Sequence, residues 1–155
     1  MNPRRVGLIT ALLAAGSLGF AFYAQYGLYF QPCELCLVER WPYRLTLILG
    51  VLAMIMGRAT GRLLLVVAGV VMLSNVGIAG LHAGVEFHWW ASPFPECNMV
   101  LTSGAALPLT PGTSCGHGVY PLSWLPMTMT QMDFCWSVLF TAFLFCTSLW
   151  PTRRS

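Results

Sequence analysis

The sequence predicts an all-α membrane protein, a bundle of four transmembrane helices joined by two outer loops and one inner connection. Three observations predict it. Of 155 residues, 57% are hydrophobic and only 8% are charged, whereas an average soluble domain is about 25% charged. So few charges cannot solvate a globular surface. Four apolar runs, roughly 6–28, 37–57, 63–82 and 134–150, approach the ~20 residues that a helix needs to cross hydrocarbon. They are continuous rather than alternating, which argues against a barrel. Finally, the cations are all arginines, and Arg4, Arg5, Arg58, Arg62, Arg153 and Arg154 fall at the start, in the second connection and at the end. Those three places share one face of a four-crossing chain, and an excess of positive charge marks the cytoplasmic face. All five acidic residues, Glu34, Glu39, Glu86, Glu96 and Asp133, fall on or near the other face.

The first run follows Arg4 and Arg5, as a signal peptide would. Its Ala21-Phe22-Tyr23-Ala24 stretch lacks a small-x-small cleavage pattern, so the run is expected to stay as an anchor. The first outer loop, 29–36, is short. The second run opens on Cys33-Glu34-Leu35-Cys36 and continues through Glu39, Arg40 and Arg44. Arg40 and Arg44 break the arginine pattern, being the cations on the outer side. A tight connection from Arg58 to Arg62 leads to the third run, which ends near His82. The second outer loop, 83–132, is rich in Pro, Gly, Ser and Thr, and a loop of this length is usually functional. Within it Leu122 to Met132 is expected to be either an interfacial helix or an irregular stretch resting on the bilayer. The fourth run is the shortest. Repeats are absent, the net charge of +3 reflects inner-face anchoring, and nothing suggests nucleic-acid binding. The whole chain, 1–155, is expected to be a single membrane domain.

Six cysteines are present. Cys135 and Cys146 lie inside the fourth run and are expected to be structural, as buried cysteine behaves as a small apolar side chain. The other four lie on the outer side, where disulfides persist. The spacing Cys33-x-x-Cys36 suits reversible redox chemistry. It also suits half of a zinc site, with His82, His88 and His117 as further donors on paper, although no metal is expected. A permanent disulfide would close too little chain to stabilise much. If the second helix starts near Cys36, then Cys36 and Arg40 share a face one turn apart, with Arg44 a turn further. A helix N-terminus and an arginine both favour a thiolate, and Arg40 supplies a fixed cation with donors near the membrane surface. An outward-reaching interfacial arginine is the alternative. Cys97 and Cys115 as a disulfide would close the intervening loop, worth about 3 kcal/mol in the chain-entropy picture, which suits a structural staple. The same bond, exposed, could be attacked by another protein's thiolate. His82 is placed to hydrogen-bond a ligand carbonyl or to sit as an ordinary interfacial histidine. Trp89 and Trp90 read as an aromatic belt.

The stretch Gln31-Pro32-Cys33-Glu34-Leu35-Cys36-Leu37-Val38-Glu39-Arg40-Trp41-Pro42-Tyr43 resembles the signature of the bacterial DsbB family. His82-Ala83-Gly84-Val85-Glu86, with the aromatic run and Cys97 after it, is similar to that family's third helix and second loop. The resemblance implies an inner-membrane thiol oxidase using ubiquinone or menaquinone. Its partner would be a periplasmic thioredoxin-like dithiol protein, DsbA-like, with both termini cytoplasmic and both loops periplasmic. It further implies that Cys97 takes the partner's thiolate and releases Cys115. Cys115 then exchanges with Cys33, which frees Cys36 to reduce quinone. Arg40 matches the family's quinone-contacting arginine, and His82 falls beside the same ring. The stretch from Gly116 to Trp124 departs from the family pattern, which bears on the shape of the second loop and the identity of the partner.

Two readings from other classes compete. One is a non-catalytic membrane scaffold with structural disulfides, and the other is a metal- or haem-binding membrane module. Bound quinone with cycling thiols, neither of these, or stoichiometric metal would tell the three apart. The vitamin K epoxide reductase family also couples thiols to quinones, but its redox pair sits near its last helix, whereas this CxxC opens the second.

Overall fold

The computed structural model describes residues 2–94, 118–121 and 126–149. Four helices make up its regular structure: α1 (Pro3–Tyr26), α2 (Glu34–Ile55), α3 (Arg58–Glu86) and α4 (Met129–Leu149). Among the described residues there is no strand. By length and apolarity α1, α3 and α4 can each cross a membrane. Glu34, Glu39, Arg40 and Arg44 crowd the first half of α2 and give it the most charged side chains of the four.

Local chemistry sets the helix ends. Asn2 caps α1 by accepting the Arg4 N–H, with Pro3 in the first turn, where its missing N–H costs nothing. Cys33 caps α2, its Sγ accepting the Cys36 N–H at 3.3 Å. The helix therefore starts at Glu34, and Cys33 rather than Cys36 occupies the N-cap. Pro42 lies inside α2, which continues past it to Ile55.

At the end of α3, Trp89 N–H donates to Gly84 O and His88 N–H to Val85 O. This is a Schellman closure with His88 at φ 58° in the left-handed position. His88 is thus a helix-terminating residue. Trp90 folds back and donates its indole N–H to Leu81 O at 3.1 Å. The third helix continues to Glu86, so His82 sits a turn inside it rather than at its end.

α4 starts at Met129, ahead of the expected 134. The cause is a reciprocal capping box: Thr128 Oγ1 accepts from Gln131 N–H at 3.3 Å, and Gln131 Oε1 accepts from Thr128 N–H at 3.4 Å. Of the stretch considered for an interfacial helix, 129–132 is the first turn of α4, 126–128 is non-helical and 122–125 lies outside the described residues.

The main packed pairs are α1 with α2, α2 with α3 and α3 with α4, while α1 and α4 touch only sparsely. Gly7 and Gly50 let α1 and α2 meet backbone to backbone, since a Cβ on Gly7 would fall 2.7 Å from Gly50 O. The core joins Val6, Ala14, Tyr43, Leu65, Met72 and Leu144. Thr10, Thr46, Asn75, Ser137 and Ser148 are also buried, while Leu12, Ile55, Leu63 and Leu139 face outward. Polar groups inside and apolar side chains outside are the arrangement a lipid solvent demands. Cys135 and Cys146 are exposed on α4, which corrects the expectation that they are buried: neither side chain is packed into the helix-helix core, and Cys135 borders a cavity instead.

Arg62 at the start of α3 donates to the Ser148 and Leu149 carbonyls, capping the far end of α4. Arg4, Arg5, Arg58 and Arg62 therefore lie at one end of the bundle. The CxxC and His82 lie at the other.

Candidate functional site

At that second end the N-terminus of α2 meets the last turns of α3. Cys33 is buried and Cys36 partly so, and both are free thiols, with their sulfurs 2.7 Å apart. The Cys33 thiol is drawn below its ordinary value. The hydrogen bond with the Cys36 side chain is the largest cause; burial opposes it, and the Cys36 backbone N–H adds to it. The sequence reading placed the favoured thiolate on Cys36. In the dithiol state the helix N-terminus instead supports Cys33, because the N-cap is where a side chain meets unpaired backbone N–H groups.

His82 comes from α3 and lies 3% exposed. Its Nε2 is 3.6 Å from Cys33 Sγ, and its Nδ1 is 2.8 Å from Glu39 Oε1. A carboxylate can only accept, so Glu39 fixes the proton on Nδ1 and turns the Nε2 lone pair towards the thiol. Glu39 itself is buried, at 7% exposure. The sequence reading left Glu39 out of the site. Its position three residues after Cys36, on the same helical face, was the available signal.

Arg40 is 8% exposed, so it does not reach out to the interface. Its Nη1 donates to Gln25 Oε1 at 2.6 Å, and its guanidinium lies 5.3 Å from the Phe22 ring centroid, both on α1. Arg44 does not extend this face. It points outward and stacks over Trp41. Deeper in, Tyr43 Oη donates to Asp133 Oδ1 at 2.7 Å, and Asn75 Nδ2 reaches Asp133 Oδ2 at 3.3 Å and Ser137 Oγ at 2.8 Å. Asp133 is the one charged residue of α4. It was read only as an outer-face charge, and its solitude in an apolar helix was the missed signal, since intramembrane carboxyls are rarely idle.

A cavity of about 560 Å³ lies at the thin seam between α1 and α4. Cys33, Cys36, Glu39, Arg40, His82 and Asp133 contribute its polar points, and most of its remaining wall is apolar. The volume falls within the ~300–1,000 Å³ of small-molecule sites, and so does the pattern of apolar walls with a few placed polar groups. Trp136 on α4 closes part of the seam by donating to Ser17 on α1 at 2.8 Å. Of the residues singled out from sequence, Cys33, Cys36, Arg40 and His82 come together here. Cys97, Cys115 and His117 lie outside the described residues, and His88 serves the helix end.

A helical membrane protein with a dithiol, a carboxylate-oriented histidine and a buried arginine around one apolar cavity is the class this geometry defines. Residues 3–147 match the family described as Disulfide bond formation protein DsbB, and the chain belongs to that family. It is also similar to Disulfide bond formation protein B of Albidiferax ferrireducens, with 31% identity over 94 residues, which is 59% of this chain and 52% of the relative. The chain thus spans about half the length of the curated relative it matches. No solved structure gives a significant match.

Proposed function

We propose that this protein is a quinone-dependent thiol oxidase of the bacterial inner membrane. Its substrate is the dithiol of a periplasmic, thioredoxin-like, DsbA-like protein. Electrons pass through Cys97 and Cys115, then through Cys33 and Cys36, to membrane quinone. The reaction balances as protein dithiol plus quinone giving protein disulfide plus quinol. The observation that carries the reading is the Cys33–Cys36 pair, with His82 and Arg40, opening into an apolar cavity of about 560 Å³. Family membership supports the disulfide-forming role.

The cavity suits a quinone in size, in its apolar wall and in having donors at one end. Arg40 would hold the ring oxygen, as Gln25 takes one of its five N–H donors and leaves others for a ligand. A quinone bound there supplies a two-electron, two-proton acceptor. His82 Nε2 is placed to take the Cys33 thiol proton, and Glu39 steadies the imidazolium that results. The wall around the thiols is mostly apolar, and the sparse α1–α4 seam gives a lipid-soluble ligand a lateral way in.

The test mixes purified protein, a reduced thioredoxin-like dithiol protein and quinone. Substrate thiols should disappear in step with quinol formation, two thiols per quinol. Thiol loss that continues unchanged when quinone is withheld overturns the reading.

For the loop cysteines, Cys115→Ala should accumulate a mixed disulfide through Cys97 with a partner that lacks its own resolving cysteine. Equal trapping after Cys97→Ala would reverse the assignment. Orientation follows the arginine bias. A membrane-impermeant thiol reagent applied from the periplasmic side should modify Cys97 after reduction, and modification only from the cytoplasmic side would invert the topology.

A further inference from the structure

Cys33 Sγ, Cys36 Sγ and His82 Nε2 all lie within 4.8 Å of one another. We propose that in the reduced protein these three atoms form a binding site for one thiophilic divalent cation of the zinc type, which holds the pair as thiolates. The binding itself stands on geometry. Its consequence, that the cation stalls turnover at the dithiol stage, rests on the proposed function.

The ligand atoms are close to what such an ion needs. A tetrahedral site with metal–sulfur bonds of about 2.3 Å and metal–nitrogen bonds of about 2.0 Å sets its ligand atoms roughly 3.3–3.8 Å apart. Cys33 Sγ to His82 Nε2 is already 3.6 Å. The two sulfurs, at 2.7 Å, must part by about 1 Å, which rotation about χ1 of the partly exposed Cys36 can supply.

The surroundings complete the site. Glu39 accepts from His82 Nδ1 at 2.8 Å, the carboxylate–histidine arrangement that orients metal-binding imidazoles and raises their basicity. All three ligand residues line the cavity, so a fourth position stays open to water or to a small ligand. Two thiolates and one divalent cation sum to zero charge, which removes most of the cost of ionising both thiols in a buried place. Sulfur and imidazole donors select zinc-like ions over magnesium or calcium.

Binding displaces the two thiol protons to solvent and involves no electron transfer. The oxidised pair offers no thiolate, so the site exists in only one redox state. A metal bound there occupies the sulfurs that must otherwise pair with each other.

The test uses full-length protein with Cys97, Cys115, Cys135 and Cys146 changed to serine, reduced and kept anaerobic. It is titrated with Co²⁺ and then with Zn²⁺. One Co²⁺ per chain should bind with thiolate-to-cobalt charge-transfer absorption and tetrahedral d–d bands, and Zn²⁺ should displace it. Glu39→Gln, nearly isosteric, should weaken Zn²⁺ binding about 10- to 100-fold. His82→Ala, checked for helix content by circular dichroism, should weaken it at least as much, and the oxidised protein should show no such absorption. Absence of the thiolate signature overturns the proposal, as does equal affinity in Glu39→Gln or in the oxidised protein. Quinone reduction by wild-type protein is assayed separately, with and without Zn²⁺. Metal binding without any quinone activity would sink the proposed function alone. Quinone activity without the cobalt signature would sink the metal site alone.

Discussion

Cys36→Ser is expected to stop electron delivery to quinone while leaving exchange at the second loop intact. A serine hydroxyl fills nearly the same space but can form no bond to sulfur that a thiol could reopen. On the proposed route, no two-electron step can be completed at the cavity without a Cys33–Cys36 disulfide. The loss should be at least about 10⁴-fold, the scale seen when an essential nucleophile is removed and only binding remains. The fold should tolerate the change. The α2 N-cap is Cys33 Sγ, and Cys36 adds to it only a backbone N–H that serine also carries. Stopped-flow separation of the two half-reactions checks this: quinone absorbance reports one, and partner oxidation through Cys97 and Cys115 reports the other. Quinone reduction within tenfold of wild type would mean that Cys36 is not the donor.

Arg40→Ala carries the second largest effect. The side chain is buried, tied to Gln25 and stacked near Phe22, so its guanidinium is fixed at the cavity wall rather than free to swing. A donor fixed in advance can stabilise negative charge developing on a ligand oxygen without reorganising. Losing one charge-assisted hydrogen bond should cost about 1.5–3 kcal/mol, roughly 10- to 150-fold in quinone reduction. Arg40→Lys keeps the charge and loses the planar fork, so it should fall between wild type and alanine. Gln25→Ala leaves the cation in place and frees its orientation, so its effect should be smaller and in the same direction. Exchange between partner and Cys97 should be unchanged in all three. Correctly folded Arg40→Ala protein that reduces quinone at the wild-type rate across quinone concentrations would leave Arg40 a packing residue only.

Much of the bundle was legible because apolar runs and arginines are local signals. The spans expected at 6–28 and 63–82 correspond to α1 and α3, though both helices begin earlier and α3 runs on to Glu86. Boundaries were misjudged where capping chemistry outweighed apolarity. Thr128 and Gln131 start α4 ahead of its apolar stretch, and Cys33 draws the start of α2 back to Glu34. In α4 the added turn carries Thr130, Gln131 and Asp133, and in α2, with its cap, it carries Glu34 and the cysteine pair; a reading guided by hydropathy places both starts too late.

The site divides in the same way. The sequence by itself determined the Cys33–Cys36 spacing, the single-face placement of Cys36 and Arg40, and which end of the bundle carries the arginines. These follow from chain order and helical periodicity, which act over a few residues. Only the tertiary structure decided that His82 lies against Cys33 and Glu39, that Arg40 turns to Gln25, and that Tyr43 and Asn75 hold Asp133. These partners stand on different helices, and which face of one meets which face of another depends on how each rotates about its axis. In a soluble bundle an apolar stripe announces that rotation. Here Leu12, Ile55, Leu63 and Leu139 face outward, as apolar as the core. Rotation is therefore set by close contacts such as Gly7 against Gly50 and by polar pairs between helices. Neither writes a periodic pattern into the chain.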